Sequence, residues 1–527
     1  MSGGMRAVPI DHVSRKAMIR RSAQLFGDKP AVVAGNETLS FAQVDARANR
    51  LANALRGMKL RPKDRVATLL GNCLQYPEIE FALVKAGLPQ VSLNPRLTPK
   101  EQLFQLRETE AKALIVDCNE IEAIRPIVDQ LGGVKLICFP ASEPGMLNYD
   151  QILSSASADE PEGELRPGDL GEIRYTSGTT GQPKGVLLPY WSRMAITRNF
   201  FVDHMNDFTS EDRFLALQPL YHGAGWFIFP VWVKGATHYI VPRYDPEIAF
   251  DLIERAKITV IKTVPTVLLR LLDSPDVRTR RLGSVRTIMY GGSPMPVERL
   301  KEALRIFGPV FLSVYGQMEA AMTISLLRKD EHTPDRLGSV GRPCTYVQVR
   351  IVGDDGRETP AGEIGEVIVK GDHQMTGYFQ RPEATAQTLR HGWIHTNDLG
   401  MVDRDGYLYL SGGRKSEMII SGGLNVYPTE VEQALYRHPA VAEAAAIGIA
   451  DPAWGEAVTA CVVLKAGARA STGEILDACS GSLASYKRPK SMLFFDKLPR
   501  NAAGKIIYAE LRKQCLRLGA AGVKNAS

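Results

Sequence analysis

Tyr175-Thr176-Ser177-Gly178-Thr179-Thr180-Gly181-Gln182-Pro183-Lys184-Gly185-Val186 is the stretch on which the reading of this chain turns. Gly178, Gly181 and Gly185 let the backbone turn tightly and bring its N–H groups against an anion. Ser177, Thr179 and Thr180 add hydroxyl donors, and Lys184 adds a positive charge. Such a loop suits a polyphosphate. It is not a Walker A loop, in which Lys follows Gly and precedes a magnesium-binding Ser or Thr, because Lys184 lies between Pro183 and Gly185. Ile173-Arg174-Tyr175 reads as the end of a strand, so the loop is expected at a strand's carboxyl end, where open α/β sheets bind ligands.

From Asp28 onward, short β-like runs alternate with amphipathic helical ones. A helix is expected over Phe41–Met58, with Val44, Ala48, Leu51, Ala52 and Leu55 on one stripe. Strands are expected at Arg65–Leu70, Gln90–Leu93 and Ala113–Val116, with a helix at Ile79–Ala86. Repeated units of this kind imply a mostly parallel sheet covered by helices. The polar, acidic segment 154–169, including Glu160-Pro161-Glu162-Gly163, reads as a linker into the phosphate loop.

Beyond the loop, Phe214–Leu217 runs into Pro219-Leu220-Tyr221-His222-Gly223, and Thr259–Lys262 precedes Val264-Pro265-Thr266 and a helix at Val267–Leu272. Arg286–Tyr290 runs into Gly291-Gly292-Ser293-Pro294, and Val310–Ser313 into Tyr315-Gly316-Gln317-Met318-Glu319. Each strand ends in a small or polar turn, and these turns are expected to converge with the phosphate loop on one cleft. From 337 to 413, strand-like runs separated by Asp-Gly turns predict a β subdomain. Strands at Met418–Ile420, Ala444–Ile449 and Ala457–Leu464, with helices at Pro428–Tyr436 and near Gly473–Leu483, predict a compact tail. The expected fold is α/β: a multi-subdomain N-terminal domain over residues 1–413, with mostly parallel sheets and a β subdomain, then a small α+β domain over 414–527.

Composition narrows the function. With 527 residues, 44% of them apolar and 23% charged, the chain has the make-up of a globular protein of several structural units. The net charge of +6 is small and its Lys and Arg are scattered, which does not suit nucleic acid but does suit small anionic ligands. Seven cysteines spread from Cys73 to Cys515, with no Cys-x-x-Cys, give neither a disulfide framework nor a zinc site and fit a reducing cytoplasm. Met1–Arg21 lacks the apolar core of a secretory signal, and no apolar run approaches the ~20 residues of a membrane span. His391 and His395 have the i, i+4 spacing of a metal pair, but Gly392 and Trp393 between them read as loop rather than helix.

Taken in order, these motifs resemble those of the adenylate-forming superfamily, which includes acyl-CoA synthetases, coumarate:CoA ligases, firefly luciferase and the adenylation domains of peptide synthetases. The resemblance runs from about Phe26 to Leu511. Thr176–Gly185 is similar to the family's phosphate loop, Pro219–His222 to its next core motif, and Gly291–Pro294 to the segment between adenine and acyl pocket. Tyr315–Glu319 resembles Tyr-Gly-x-Thr-Glu, Thr396-Asn397-Asp398 resembles Thr-Gly-Asp, and Arg414–Glu432 resembles the hinge and the Gly-Gly loop. Leu498–Ile506 carries the C-terminal Gly-Lys.

The chemistry agrees. A carboxylic acid does not acylate a thiol at neutral pH because its leaving group is poor, and adenylation supplies a better one. Attack of a carboxylate on the α-phosphate of ATP brings anions together, so such a site needs cations and oriented donors more than a base.

The resemblance implies roles. Its catalytic set is Lys505, His222, Glu319 and Lys184, with Glu319 as the magnesium ligand. ATP and AMP would be bound by Thr176, Ser177, Gly178, Thr179, Thr180, Gly181, Lys184, Gly291, Gly292, Ser293, Tyr315, Gly316, Gln317, Met318, Asp398 and Arg414. Asp398 and Arg414 would meet the ribose, and Tyr315 the adenine. The acyl pocket would include Tyr221, His222, Gly223, Trp226, Tyr290 and Met295. A mobile C-terminal lid, hinged at Ser416, would carry Lys505 to the carboxylate and α-phosphate, then rotate to bring Gly422, Gly423 and Tyr427 to coenzyme A. Three positions depart from the pattern: Met318 replaces Thr or Ser, Asn397 replaces Gly, and Ser416 replaces Asp or Lys.

The implied function is an AMP-forming acyl-CoA synthetase using ATP, Mg²⁺ and coenzyme A on a hydrophobic acid, with a medium- or long-chain fatty acid favoured. No Asp or Glu near Tyr221–Phe227 or Tyr290–Met295 would hold an amino-acid ammonium. The alternatives are an aryl or hydroxycinnamate CoA ligase, an acyl-AMP ligase that loads a carrier protein, and a nucleotide-binding sensor without chemistry. A homodimer and weak peripheral membrane contact are both compatible with the sequence.

Overall fold

The computed structural model describes residues 14–176, 183–414, 417–421, 424–452, 454–480, 483–501 and 505–520. Those within Met1–Thr176, Lys184–Phe201 and Met205–Ala249 form one compact unit; Pro183 and those within Val202–His204 and Phe250–Ser527 form a second.

In the first unit, strands are ordered Lys184–Pro189, Leu170–Thr176, Gln90–Ser92, Val66–Leu69, Ala113–Asp117, Lys135–Phe139 and Leu147–Asn148. All are parallel except Lys184–Pro189, which runs antiparallel to Leu170–Thr176. The chain leaves Val66–Leu69 toward Gln90–Ser92 on one side and Ala113–Asp117 on the other, the reversal that defines a doubly wound sheet. Val66–Leu69 and Ala113–Asp117 are buried at every residue, the mark of strands covered on both faces. A separate set in the same unit has Arg213–Ala216, Thr237–Ile240 and Pro30–Ala34 in parallel, edged by antiparallel Glu37–Ser40.

Helix Phe41–Gly57 begins where Ser40 and Gln43 close a capping box, and its stripe of Val44, Ala48, Leu51, Ala52 and Leu55 is fully buried. Its polar face does structural work. Asn49, Arg50, Asn53 and Arg56 donate to the carbonyls of Ala158, Ala156, Ser157, Asp159 and Glu162. The acidic segment that reads as a linker is therefore clamped along this helix. Helix Arg15–Phe26, capped by Ser14, arises in a stretch whose charge hides it, because Arg15 itself is buried with Ile19 and Ala23.

In the second unit, Val260–Lys262, Thr287–Gly291 and Phe311–Tyr315 are parallel, extended antiparallel by Ser325–Leu327 and Arg342–Pro343. The β subdomain is antiparallel throughout: Gln348–Val352, Gly365–Lys370 and Trp393–Val402, with Leu389–Arg390 and Leu408–Arg414 also on Trp393–Val402. Trp393 is thus strand, not loop. His391 turns the chain at φ 51°, while His395, on the strand, places Nδ1 2.9 Å from Glu366 Oε2. Among the described residues no three His, Cys, Asp or Glu gather in metal-binding geometry.

Toward the C-terminus, antiparallel Val441–Asp451 and Gly455–Leu464 are flanked by Ile419–Ser421, Leu424–Val426 and parallel Ser491–Phe494. Val431 and Leu435 of helix Pro428–Leu435 and Ile475 of helix Thr472–Ser480 pack with Ile419 and Val458. Leu511 and Cys515 of helix Tyr508–Ala520 pack with Ile447 and Cys461. The architecture is the expected mixed α/β fold, with parallel-rich N-terminal sheets and a mainly antiparallel C-terminal sheet. No helix among the described residues is long and apolar enough to cross a membrane.

Candidate active site

The phosphate loop connects two strands in fixed register: Tyr175 lies opposite Gly185 and Thr176 opposite Lys184. Its ends are held by that ladder. Ser177, Gly178, Thr179, Thr180 and Gly181 lie outside the described residues, as do Ser416, Gly422 and Gly423.

In the same unit, strand Arg213–Ala216 leads to the turn bearing Tyr221, His222 and Gly223. A residue the sequence did not single out pins the approach. Asn72 donates from Nδ2 to the carbonyls of Val241 at 2.9 Å and Gln218 at 3.4 Å, and Oδ1 accepts the Leu220 N–H at 2.8 Å. Tyr221 and Trp226 are buried, and the Tyr221 and His222 rings lie 4.7 Å apart, tilted by 55°. The expected acyl wall is therefore aromatic on this side.

In the second unit, Gly291 ends its strand beside the next one. A Cβ there would lie 2.0 Å from the Val314 carbonyl oxygen, so only glycine fits. Gly292 follows at φ 91°, again a glycine conformation. Buried Tyr290 has its hydroxyl 3.1 Å from His332 Nε2, and burial pushes its phenol well above the usual range. Ser293 is half-buried, and the Met295 carbonyl accepts from Gln433 Nε2 at 3.3 Å.

Two motifs predicted to hold one nucleoside meet directly. Tyr315, the last residue of its strand, donates its hydroxyl to Asp398 Oδ2 at 2.7 Å. Thr396 Oγ1 accepts the Asp398 N–H at 3.0 Å and donates to the Val367 carbonyl at 2.6 Å. Asn397 sits at φ 59°, the left-handed region where the family pattern has Gly, and its N–H reaches Glu366 Oε1 at 3.1 Å. Asn is among the residues that tolerate this conformation, so the departure is absorbed locally. Arg414 ends its strand opposite Asp398 in register.

Gly316, Gln317 and Met318 are half-buried and lead to Glu319. Glu319 Oε1 accepts the Tyr378 hydroxyl at 2.7 Å, and its carbonyl accepts the Met375 N–H at 2.8 Å. Tyr378, His332 and Gln433 were not legible from motif spacing, because each reaches its partner only through the fold. Tyr427 occupies the extended N-cap position of helix Pro428–Leu435 without a side-chain capping bond. Lys505 is exposed, and its N–H donates to Asn501 Oδ1 at 2.9 Å.

Comparison with known proteins agrees with this geometry. Residues 19–379 match the AMP-binding enzyme family and residues 430–505 the AMP-binding enzyme C-terminal domain. The chain is 37% identical to a feruloyl-CoA synthase from Amycolatopsis sp over 94% of its own length and 97% of the relative's. It is 34% identical to the medium/long-chain-fatty-acid–CoA ligase FadD8 of Mycobacterium tuberculosis, covering 91% of this chain and 86% of the relative. The crystal structure of the anthranilate CoA ligase AuaEII in complex with anthranoyl-AMP superposes with a TM-score of 0.90 at 28% identity, over 98% of this chain and 99% of that one. With the phosphate loop's flanking ladder, the Tyr315–Asp398 pair and matches across nearly its whole length, the chain belongs to the AMP-binding enzyme family of adenylate-forming enzymes.

Proposed function

We propose that this AMP-forming acid–thiol ligase activates a hydrophobic carboxylic acid to its acyl-adenylate, releasing pyrophosphate, and passes the acyl group to coenzyme A with release of AMP. The observation that carries this reading is the Tyr315–Asp398 hydrogen bond, which joins the residues proposed to meet adenine and ribose, 83 residues apart in sequence. Asp398 accepts from the ribose hydroxyls beside Arg414, Tyr315 offers its ring to adenine, and the loop from Thr176 with Lys184 holds the phosphates.

Glu319 is suited to Mg²⁺. It is a lone carboxylate oriented by Tyr378, with no cluster of ligating side chains among the described residues. That fits an ion which arrives on substrate phosphates and takes only one or two protein carboxylates. When bound, magnesium neutralises phosphate charge. Residues 414–527 form the lid in this reading, carrying Lys505 for adenylation and Gly422, Gly423 and Tyr427 for coenzyme A, over a domain of residues 1–413. A cytoplasmic enzyme belongs to the same proposal.

For the acid, the sequence favours a medium- or long-chain fatty acid, and FadD8 supports that choice. An aryl or hydroxycinnamate acid is the second reading, favoured by the aromatic wall of Tyr221, His222 and Trp226 and by the feruloyl and anthranilate ligases.

The test is pyrophosphate and AMP release with Mg-ATP across a panel of fatty and aryl acids, with and without coenzyme A. Acid-dependent pyrophosphate with AMP turnover that requires coenzyme A is expected, and the best acid names the pocket. Turnover only with a carrier protein's phosphopantetheine would replace coenzyme A as acceptor; ATP binding without release for any acid would leave a nucleotide sensor. Lys505→Ala should lose roughly 10²- to 10³-fold in adenylation while still converting supplied acyl-adenylate to thioester. Equal loss in both half-reactions would overturn the lid role.

A further inference from the structure

Beneath the turn that carries His222 lies a cluster of charge for which ligand binding gives no reason. Arg15, Arg174, Arg193, Glu80 and Glu172 are each between 1% and 4% exposed. Arg174 sits on strand Leu170–Thr176, two residues before the phosphate loop begins. Its Nε donates to Glu172 at 2.6 Å, and one Nη donates to the backbone carbonyls of Tyr221 at 3.1 Å and His222 at 3.0 Å. The same guanidinium lies 5.2 Å from the centre of the Trp226 ring. Arg193 donates to Glu80 at 2.5 Å and to the Gly225 carbonyl at 3.3 Å, and Arg15 reaches Glu80 at 3.0 Å.

Three guanidinium groups face two carboxylates, an excess of one positive charge in the interior. The carbonyl oxygens of Tyr221, His222 and Gly225 answer that excess. The turn has no slack, since a Cβ at Gly225 would lie 2.1 Å from the Leu220 carbonyl oxygen. Burial would raise Glu172, but Arg174 and Arg193 more than reverse it and hold the carboxyl below its usual range. Well-packed apolar residues are often as stable as a buried ion pair, so stability alone is a weak reason for this cluster. What apolar residues cannot do is grip carbonyl groups.

We propose that Arg174 is a positioning residue for the acyl site: from behind the turn it fixes the Tyr221 and His222 carbonyls, and with them the His222 and Trp226 side chains, relative to the strand that feeds the phosphate loop. This rests on the acyl-pocket role proposed for the turn. Arg174 touches no reacting atom, and its effect passes through backbone geometry.

The test uses the full-length double variant Arg174→Met/Glu172→Ala, which removes both members of one pair and leaves the cluster's net charge unchanged, beside Arg174→Lys, which keeps the charge without the fork. In the double variant, hydrogen exchange read by mass spectrometry should quicken about 10-fold over Pro219–Phe227 and not over Lys184–Pro189. With the best acid, kcat should fall about 10-fold and KM for the acid rise, with KM for Mg-ATP unchanged; Arg174→Lys should lie between. Wild-type exchange and kinetics in the folded double variant would overturn the proposal, as would exchange that quickens equally throughout the unit, the sign of a purely structural role. If the wild type releases pyrophosphate with no acid, the functional reading fails, and the exchange pattern alone decides whether Arg174 holds the turn.

Discussion

Glu172 and Glu432 are two carboxylates of nearly equal burial, 4% and 7% exposed, in two regions that treat charge in opposite ways. Glu172 has Arg174 at 2.6 Å and Arg193 at 3.9 Å, and these cations hold its carboxyl below the usual range despite its burial. Among the described residues Glu432, on helix Pro428–Leu435, meets only neutral donors: the Ala446 N–H at 3.0 Å and the Tyr508 hydroxyl at 2.9 Å, both on Oε1. Burial therefore prevails, and its carboxyl is pushed up to about 7. Depth does not set the charge of a buried acid; the partner's charge does. In one region ionisation is built into the fold, and in the other it opposes the fold.

Removing the cation beside Glu172 should separate the two carboxylates most strongly. Arg174→Ala leaves Glu172 and two carbonyls buried without their donor, and should cost about 3–5 kcal/mol in urea unfolding of the first unit. Arg174→Met/Glu172→Ala should recover most of that loss, since it also removes the buried carboxylate left without its 2.6 Å hydrogen-bond donor. Equal losses in the two variants would mean that the pair's charges are not what holds the region.

A smaller effect is expected from Glu432→Gln. A carboxyl raised from an ordinary 4.5 to about 7 in the fold binds its proton more tightly when folded. Its contribution to stability is full below about pH 4.5 and is lost as pH rises through about 7. Glutamine keeps a carbonyl oxygen for Ala446 and Tyr508 and cannot ionise. The variant should match the wild type in melting temperature at pH 4.5 and exceed it by a few degrees at pH 8. Parallel profiles across that range would show that Glu432 does not ionise against the fold.

These two regions also mark the limits of the sequence. The strands that flank the Gly- and Thr-rich loop, the strand-ending turns and the α/β order were legible because each is a local pattern of Gly, Thr and apolar spacing. Motif order assigned Tyr315 and Asp398 to one nucleoside but gave no sign of the hydrogen bond between them. The buried arginines were not legible, since a charged residue in a helix or strand is by default solvated, and Arg15 even disguised helix Arg15–Phe26. One signal was available: Glu172 and Arg174 flank Ile173 at i and i+2, opposite charges on one face of a strand otherwise destined for the interior. Asn72, Tyr378 and His332 had no such signal, because their partners lie 148, 59 and 42 residues away.

Asp398 supplies a third case, half-buried and bonded to a hydroxyl, and its test is the mildest. Tyr315→Phe keeps the ring proposed to meet adenine and removes only the hydroxyl that reaches Asp398 at 2.7 Å. A single hydrogen bond of about 1 kcal/mol corresponds to roughly a 5-fold rise in KM for Mg-ATP. The value of kcat should change little, because the hydroxyl acts on the nucleoside end and not on the reacting phosphate. The melting temperature should hold as well, since Asp398 is not fully buried and water can take the vacated place. A rise in KM at constant stability would make Tyr315 the partner that aims this carboxylate. No change in KM would pass that role to the backbone, where the Asp398 N–H is tied to Thr396 and the left-handed Asn397 sets the direction of the strand.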